Sequence, residues 1–397
     1  MPTPTGNRQL IRAINISHVL NAIKTYGPVG RAEVARRTNL SPATVTSITA
    51  RLISQKLVLV KSAGDSSGGR PPILLAINPQ GGYVVGIKLT EENAVCALTD
   101  LEAQIIAKSS MALSGHDPES VADDLAQMVT ALARKQGIPK KQLLGVGVGL
   151  AGIVDADAGI LRQSPIYGWQ NVPLRAMLQS RLHVPIYIEN DVNTLTMTEK
   201  WFGHGQGLDN FLTVTVGRGV GMGIVVNGQF YQGDGGGAGE LGHTAIDPDG
   251  PLCACGKRGC LETYVGDPGL VRAAREAGLR VKDVDGLLAL AREGNKAARE
   301  VLERSGRILG MGIANLINLF HPQKIIISGE GTRAGDLLFE PMHASVEKNT
   351  MPGLYRPDTV QIAPWGDDAW ARGAAGLVLR EVFESPIHKK IPVAEPA

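Results

Sequence analysis

Three of the four cysteines of the chain lie within eight positions, close after one histidine. His243, Cys253, Cys255 and Cys260 have the spacing His-x9-Cys-x-Cys-x4-Cys. One imidazole and three thiolates form the ligand set of a closed, tetrahedral structural zinc site. A redox motif is disfavoured because no Cys-x-x-Cys occurs, and a disulfide is disfavoured by the odd number of clustered cysteines. Cys96 stands alone in an apolar segment, and we expect it to be a core residue.

A second chemical signal ends the apolar segment "VPIYIEN". Asn190 and Asp191 follow a predicted strand, where α/β proteins commonly place ligand contacts. A carboxylate beside an amide can bind two adjacent sugar hydroxyls, since the carboxylate accepts hydrogen bonds and the amide both donates and accepts. The alternative for Asp191 is a carboxylate that only caps a helix.

Composition limits where these sites can lie. A chain of 397 residues with 43% hydrophobic residues predicts two or three domains with real cores. No apolar run reaches the roughly 18–20 residues that cross a bilayer, and the N-terminus lacks the pattern of a signal peptide. We therefore expect a cytoplasmic protein without a membrane partner, whose reduced thiols favour metal binding over disulfides.

The charge is distributed unevenly. Residues 1–80 contain ten Lys or Arg and two acids, a net charge of +8, whereas the remainder contains 30 basic and 36 acidic residues, a net charge of −6. Residues 1–80, called the head below, are basic, and the remainder, called the body, is acidic. A basic head indicates a polyanion partner for that part of the chain. The alternative is a solvated basic tail.

The pattern of the head predicts a winged helix-turn-helix. Apolar spacing predicts a first helix that ends near Tyr26, "RAEVARRT" predicts a second, and "NLSPATVTSITARLISQ" begins a third. Ser41 can cap this third helix and Pro42 fits its first turn. The segment from 57 to 78 then predicts two strands joined by a glycine-rich turn, which form the wing.

DNA contacts are expected from the outward face of the third helix and from the wing. Small polar residues suit close approach to base edges in a major groove, Arg51 can reach phosphate, and Arg70 can enter a minor groove from the wing tip. The full set is Ser41, Ala43, Thr44, Thr46, Ser47, Arg51 and Arg70. The alternative is a three-helix module with a purely structural role.

From Gly81 onward, buried strands alternate with amphipathic helices, which predicts an α/β body of two similar lobes. We expect the DNA-binding domain at 1–80, a first lobe at 81–192, a second lobe with the metal loop at 193–367, and a disordered tail at 385–397. A C-terminal helix at about 368–384 is expected to return to the first lobe.

The chain resembles the ROK family of repressors, open reading frames and sugar kinases. The resemblance rests on "ENDVN" at 189–193, on "GAGELGHTAIDPDGPLCACGKRGCLE" at 237–262 and on the repressor-type head, and it covers all but the tail. It implies a two-lobed body with an actin/hexokinase-like (ribonuclease H-like) fold of the ATPase type, which holds ligand between the lobes.

The resemblance also implies roles for individual residues. It assigns the four zinc ligands named above and a sugar site made of Asn190, Asp191, Glu240, His243 and Glu262. In family kinases, the residue that matches Asp191 deprotonates the accepting hydroxyl. His243 would then use one ring nitrogen for zinc and the other for sugar, so that the metal orients a sugar contact.

One kinase motif is missing. Family kinases carry Asp-x-Gly-Gly-Thr-Lys after the first strand of the lobe, whereas this chain has "KLTEEN" at 88–93. Lys88 replaces the aspartate, both glycines are absent, and Glu91 and Glu92 would repel a triphosphate. The second glycine loop, "GRGVGMG" at 217–223, keeps its glycines but contains Arg218. Because phosphoryl transfer depends on positioning and charge neutralisation, we expect no catalysis, with Asp191 as a vestigial kinase base.

The sequence thus predicts a repressor of carbohydrate-metabolism genes that a monosaccharide in the cleft releases from its operator. A homodimer or tetramer would bind an inverted repeat of double-stranded DNA. The alternatives are an ATP-dependent sugar kinase with a fused DNA-binding domain, and a repressor controlled by a protein partner. The resemblance to the family implies xylose, glucose and N-acetylated hexosamines as candidate effectors, and the sequence does not distinguish them.

Overall fold

The computed structural model describes residues 8–62, 73–164, 166–364 and 366–383. The predicted wing tip with Arg70 and the predicted disordered tail at 385–397 lie outside these ranges. None of the helices within them has the length and apolar character required to cross a membrane.

The head consists of three helices and a three-stranded antiparallel sheet, as predicted for a winged helix-turn-helix. Its elements are α1 (Arg8–Tyr26), β1 (Val29–Gly30), α2 (Arg31–Thr38), α3 (Pro42–Ser54), β2 (Val58–Ser62) and β3 (Ile73–Ile77). The sheet order is β1-β3-β2. Ser41 caps α3 as expected, because its hydroxyl accepts the backbone N–H of Thr44 at 3.1 Å. The short strand β1 was not predicted.

The first lobe is built on a five-stranded sheet. Its elements are β4 (Tyr83–Leu89), β5 (Asn93–Thr99), β6 (Ile105–Ala112), α4 (Pro118–Lys135), β7 (Leu143–Leu150), β8 (Ile153–Asp155), β9 (Ile160–Ser164), β10 (Trp169–Val172), α5 (Leu174–Leu182), β11 (Ile186–Asn190) and α6 (Asp191–Phe202). The order is β11-β7-β4-β5-β6, with β8 to β10 in a separate small sheet. Strands β4, β5 and β6 form an antiparallel meander, and β7 and β11 add parallel to β4.

The second lobe repeats this topology. Its elements are β12 (Phe211–Val216), β13 (Val220–Val226), β14 (Gln229–Phe230), α7 (Glu262–Val265), α8 (Asp267–Glu276), α9 (Val284–Arg292), α10 (Lys296–Phe320), β15 (Lys324–Ser328), α11 (Asp336–Asn349) and β16 (Val360–Ile362). The order β14-β13-β12-β15-β16 again joins an antiparallel meander to two parallel strands. The two lobes thus have the same strand order, which confirms the predicted fold class.

The last helix, α12 (Asp367–Phe383), packs against the sheet of the first lobe. Its small residues Ala371, Ala374 and Ala375 are buried there, which lets the helix lie close to β4 and β7. The lobe boundary placed after residue 192 falls inside α6, because Asn190 starts that helix and residues 192–199 are all buried in one continuous element. The extents of the domains therefore stay a prediction.

The apolar core has three main parts. One fills the first lobe and one fills the second. The third joins the head to the body, since Val19, Leu20 and Ile23 of α1 pack in the same cluster as Leu379 and Phe383 of α12. The head is thus docked on the first lobe through a shared core.

Candidate functional site

The four predicted metal ligands meet in one cluster. Their ligand atoms, from His243, Cys253, Cys255 and Cys260, all lie within 4.8 Å of one another. His243 Nδ1 is 3.5 Å from Cys253 Sγ, and Cys255 Sγ is 3.6 Å from Cys260 Sγ. The loop is folded back on itself by short bridges, one of which pairs Ala245 with Cys260.

The cluster fits a tetrahedral metal ion. With Zn–S bonds of about 2.3 Å and Zn–N bonds of about 2.0–2.1 Å, tetrahedral zinc sets neighbouring sulfurs about 3.8 Å apart and a sulfur and nitrogen about 3.6 Å apart. The distances from His243 Nδ1 to Cys253 Sγ and from Cys255 Sγ to Cys260 Sγ are close to these values. Cys253 and Cys260 are buried while Cys255 is exposed, so a metal ion would lie at the edge of the second lobe.

Three predicted sugar contacts gather beside this cluster. His243 Nε2, the ring nitrogen that does not face Cys253, lies 3.8 Å from Glu240 Oε2. Glu262 is anchored because its Oε2 accepts the backbone N–H of Val220 at 3.0 Å. Burial raises the pKa of Glu240, His243 opposes this rise, and Glu262 adds to it. The three side chains therefore form one polar wall on the second lobe.

Asn190 has structural partners on both ends of its amide. Its Oδ1 accepts the N–H of Val192 at 2.8 Å and of Asn193 at 3.3 Å, and its Nδ2 donates to the carbonyl of Gly152 at 3.1 Å. The cap of α6 is therefore Asn190 and not Asp191. This fixes the amide in place at the carboxyl end of β11.

Asp191, at the start of α6, is half-buried and close to charged groups of both lobes. Its Oδ1 accepts the N–H of Val192 at 3.0 Å. Burial raises the pKa of Asp191, the nearby Lys88 ammonium opposes this rise, and Glu330 adds to it. Asp191 in turn raises the pKa of Tyr167, although burial is the larger cause.

The two groups of predicted sugar residues lie on different lobes and are not bonded to each other. In the part of the chain that the structure describes, no hydrogen bond or ion pair joins Asn190 and Asp191 to the second-lobe wall. The two lobes are joined beside Asn190 by Glu189, a buried carboxylate on β11. It accepts a hydrogen bond from Gln232 Nε2 of the second lobe. Gly236 lies nearby on the second lobe, and a Cβ there would come within 1.9 Å of the Val154 carbonyl on the first.

Glu189 and Gln232 were missed by the sequence analysis. The carboxylate of Glu189 also accepts the N–H of Asn190 at 2.9 Å and Nδ2 of Asn193 at 3.0 Å. An acid inside the apolar run "VPIYIEN" was the available signal, because a buried carboxylate needs several donors.

Two ion pairs join the lobes at the segment "KLTEEN". Lys88 Nζ of β4 lies 3.8 Å from Glu330 Oε1, which follows β15, and 4.6 Å from the ring centre of Trp370. Glu91 of the β4–β5 turn pairs with Arg218 of the β12–β13 turn, so this second pair joins "KLTEEN" directly to "GRGVGMG". The opposite charges of Glu91 and Arg218 were the available signal in the sequence.

The third helix presents the expected polar face. Ala43, Thr46, Ser47 and Arg51 are exposed, as is Ser41 before them, whereas Thr44 is half-buried. Arg31 of α2 supports the helix from below, since its Nε donates to Thr49 at 3.0 Å. The DNA contacts themselves stay a prediction, as do the sugar contacts.

Comparisons with known proteins agree on one family. The sequence profile of the ROK family matches residues 84–381. The DNA-binding transcriptional dual regulator NagC of Escherichia coli is 31% identical over 391 residues, which cover 95% of each chain. The xylose repressor of Bacillus subtilis is 30% identical over 376 residues, which cover 94% of this chain and 97% of the repressor.

Two solved structures show which parts of the chain are shared. A ROK transcriptional regulator, a homologue of the Escherichia coli MLC protein, superposes with a TM-score of 0.84 at 26% identity and covers 94% of this chain and 98% of its own. A ROK glucokinase from Streptomyces griseus, solved with glucose and AMPPNP, has a TM-score of 0.64 at 30% identity. It covers 75% of this chain and 99% of its own.

Proposed function

The chain belongs to the ROK family, and on that premise we propose that it is a transcriptional repressor of carbohydrate-metabolism genes that responds to a sugar. The observation that carries this proposal is the extent of the matches. The repressors and the regulator structure cover nearly the whole chain, head included, whereas the glucokinase covers only 75% of it.

The head would bind DNA through α3. Ser41, Ala43, Thr44, Thr46 and Ser47 would approach base edges in the major groove, and Arg51 would bind phosphate. Arg70 of the wing is proposed for the minor groove. A homodimer would place two heads on an inverted repeat, since operator symmetry mirrors protein symmetry. Such a regulator would work in the cytoplasm.

The sugar would bind between the lobes. Asn190 and Asp191 line the first-lobe side, and Glu240, His243 and Glu262 line the second. A structural zinc ion on His243, Cys253, Cys255 and Cys260 would hold His243 through Nδ1 and leave Nε2 toward Glu240 and the cleft. Xylose, glucose and N-acetylated hexosamines are the candidate effectors.

We propose that the chain is not an enzyme. The kinase alternative needs a phosphate cradle, and at the place of that cradle the chain carries Lys88, Glu91, Arg218 and Glu330 in two interlobe ion pairs. Incubation with ATP, Mg²⁺ and a panel of hexoses and pentoses tests this point. Sugar phosphate formed by the wild type but not by Asp191→Asn would establish the kinase alternative.

The repressor function is tested with DNA selected from a random duplex pool by the wild-type protein. We expect xylose, glucose or N-acetylglucosamine to raise the apparent Kd for this DNA. A protein that binds DNA tightly yet ignores every sugar would contradict sugar control and favour control by a protein partner.

The reading helix is tested by salt dependence. Arg51→Ala should weaken binding to the selected DNA and reduce the slope of log K against log salt by about 0.9, the value for one phosphate contact. Lys296→Ala, which removes an exposed charge from α10 of the second lobe, is the control for a lost charge. A slope equal to that of the wild type would argue against Arg51 as a phosphate contact.

A further inference from the structure

The cleft and the head are connected by two buried helices that meet a single lysine. Lys24 on α1 places Nζ 3.4 Å from the ring centre of Trp201, at the end of α6, and 4.7 Å from that of Phe383, at the end of α12. We propose that α6 and α12 transmit the state of the cleft to the head. The contact of Lys24 with the rings of Trp201 and Phe383, called the joint below, would couple the two helices to α1. This inference rests on the proposed function.

The first helix, α6, reaches from the sugar site to the head. It begins at Asp191 in the cleft and ends at Phe202, and its 12 residues span about 18 Å. Residues 192–199 are all buried, so neighbouring elements hold the helix on every side. A packed helix of this length moves as a unit, because close-packed interiors transmit displacement with little compression.

The second helix, α12, has the same two ends. Near its start, Trp370 lies against Lys88 beside Asp191, and its last residue, Phe383, lies against α1. Asn21 Nδ2 of α1 also donates to the Phe383 carbonyl at 2.6 Å. Both helices therefore begin among the charged groups of the cleft and end on the first helix of the head.

The two helices are locked together where they cross. At Gly373 of α12, a Cβ would come within 2.0 Å of the Thr194 carbonyl of α6, so only glycine permits this approach. One turn away, Thr198 Oγ1 donates to the Ala369 carbonyl at 2.9 Å. A shift of α6 must therefore be shared by α12.

The second lobe contacts α6 directly. A Cβ at Gly223 of β13 would lie 2.0 Å from Thr196 Oγ1, and Lys200 Nζ donates to the Gly228 carbonyl after β13. Because α6 lies between the lobes, a change in lobe closure displaces it. Sugar contacts on both walls of the cleft thus act on the same helix.

The joint has room to repack. A cavity of about 180 Å³ lies between head and body, lined by Lys24, Ile77, Leu101, Glu102, Trp201, Phe202 and Leu379. The cavity is open to solvent on the side of the exposed Lys24 and Glu102, and the space beside the rings permits a second arrangement of them around the ammonium group. A cation held between two ring faces depends strongly on their position, which makes Lys24 sensitive to small movements of either helix.

The test uses the full-length chain and hydrogen–deuterium exchange of peptides from α6 and α1. The probes are xylose, glucose and N-acetylglucosamine, and a second readout is the affinity for DNA selected by the wild type. The variants are Lys24→Met and Trp201→Ala. Trp201→Phe keeps an aromatic ring, and Arg12→Met removes an exposed charge from α1 away from the joint.

We expect the sugar that protects α6 in the wild type to change exchange in α1 as well. In Lys24→Met and Trp201→Ala the same sugar should protect α6 at the same concentration, while α1 no longer responds. The ratio of DNA affinities without and with sugar, about 5- to 150-fold for coupling of ordinary strength, should fall toward one. Both controls should keep the wild-type ratio. Normal transmission in Trp201→Ala and Lys24→Met would overturn the proposal.

A ligand-free arm separates this inference from the proposed function. If no sugar protects α6, sugar control itself fails. The joint is then decided by Asp191→Asn, which removes the charge at the cleft end of α6. We expect this change to alter exchange in α1, and the alteration to vanish in the double variant with Trp201→Ala. If hydrogen–deuterium exchange in α1 is the same in Asp191→Asn as in the wild type, the proposed role of the joint is wrong.

Discussion

The two ends of the interlobe cleft have opposite characters. At the end proposed to bind sugar, called the sugar end below, Glu240, His243 and Glu262 are grouped beside the candidate metal cluster. At the opposite end, which the resemblance to ROK kinases marks as the phosphate end, charged residues pair with one another across the lobes, Lys88 with Glu330 and Glu91 with Arg218.

The two ends suit different uses under the proposed function. At the sugar end, the link between the lobes is the hydrogen bond from Gln232 to the buried Glu189. The links at the phosphate end are ion pairs, three of whose four members are substantially exposed. A ligand site needs polar groups on a rigid support, whereas exposed ion pairs only have to hold the lobes together.

The largest expected effect comes from losing the metal ion that is proposed to hold His243 in place at the sugar end. Cys255→Ser changes an exposed ligand, so the loss of metal affinity, expected to exceed about 100-fold, is separated from any loss of core packing. Metal content after dialysis against a chelator measures the affinity, and the thermal midpoint measures the loss of folding free energy that the metal supplies.

Cys96→Ser is the matched control. Cys96 is buried in β5, and burial raises the pKa of its thiol to about 11, as befits an inert core residue. Its substitution should lower the thermal midpoint and leave one metal ion bound per chain. Loss of metal from Cys96→Ser, or full metal content in Cys255→Ser, would contradict the assignment of the ligands.

The next effect concerns the ligand itself. Asp191→Asn is isosteric and removes a charged hydrogen-bond acceptor, typically worth about 1.5–3 kcal/mol, or roughly 10- to 150-fold in sugar affinity. Thermal shift against the monosaccharide panel measures this loss. Glu92→Gln neutralises an exposed acid at the phosphate end and should leave sugar affinity unchanged. Equal losses in the two variants would erase the distinction between the ends.

Much of this arrangement was visible in the sequence because local signals fix it. The cap and proline of α3, the alternation of strands and helices, and the spacing of the metal ligands each depend on neighbours along the chain. Among the buried strands expected after Gly81, the apolar segments "YVVGIKL" and "LLGVGVGL" coincide with β4 and β7.

What sequence could not predict depends on residues far apart in the chain. Glu330 pairs with Lys88 and Gln232 binds Glu189 only because the fold brings the two lobes together. Strand β6 was not predicted for a different reason: none of its residues is fully buried, and the polar residues in "IIAKSSMA" hide the alternation of half-buried and exposed positions. Interlobe partners carry no periodicity that a single chain reveals.

A smaller effect, the pH dependence of stability, distinguishes the hydrogen-bonded link at Glu189 from the ion pairs of the phosphate end. Burial raises the pKa of Glu189 above its ordinary value of 4.5, so between pH 4.5 and the raised pKa the folded protein holds a proton that the unfolded chain releases. Stability from this neutral form is present below pH 4.5 and is lost as the pH rises through the raised pKa. The thermal midpoint of Glu189→Gln should therefore approach that of the wild type as the pH rises. A difference that stays constant or grows with pH would contradict this sign.

The smallest effect is expected at the phosphate end. Arg218 and Glu91 retain 64% and 40% of their side-chain exposure, and exposed pairs contribute only about 0.2–1 kcal/mol, less at high salt. A double-mutant cycle of Arg218→Ala and Glu91→Ala, read by thermal unfolding at low and high salt, should give a coupling in this range that salt reduces. The double variant should still show no thermal shift with ATP and Mg²⁺, because Lys88 and Glu330 remain in place. A shift with nucleotide would mean that the exposed pair alone closes the phosphate end, and that the two ends of the cleft differ by one salt bridge rather than by their whole chemistry.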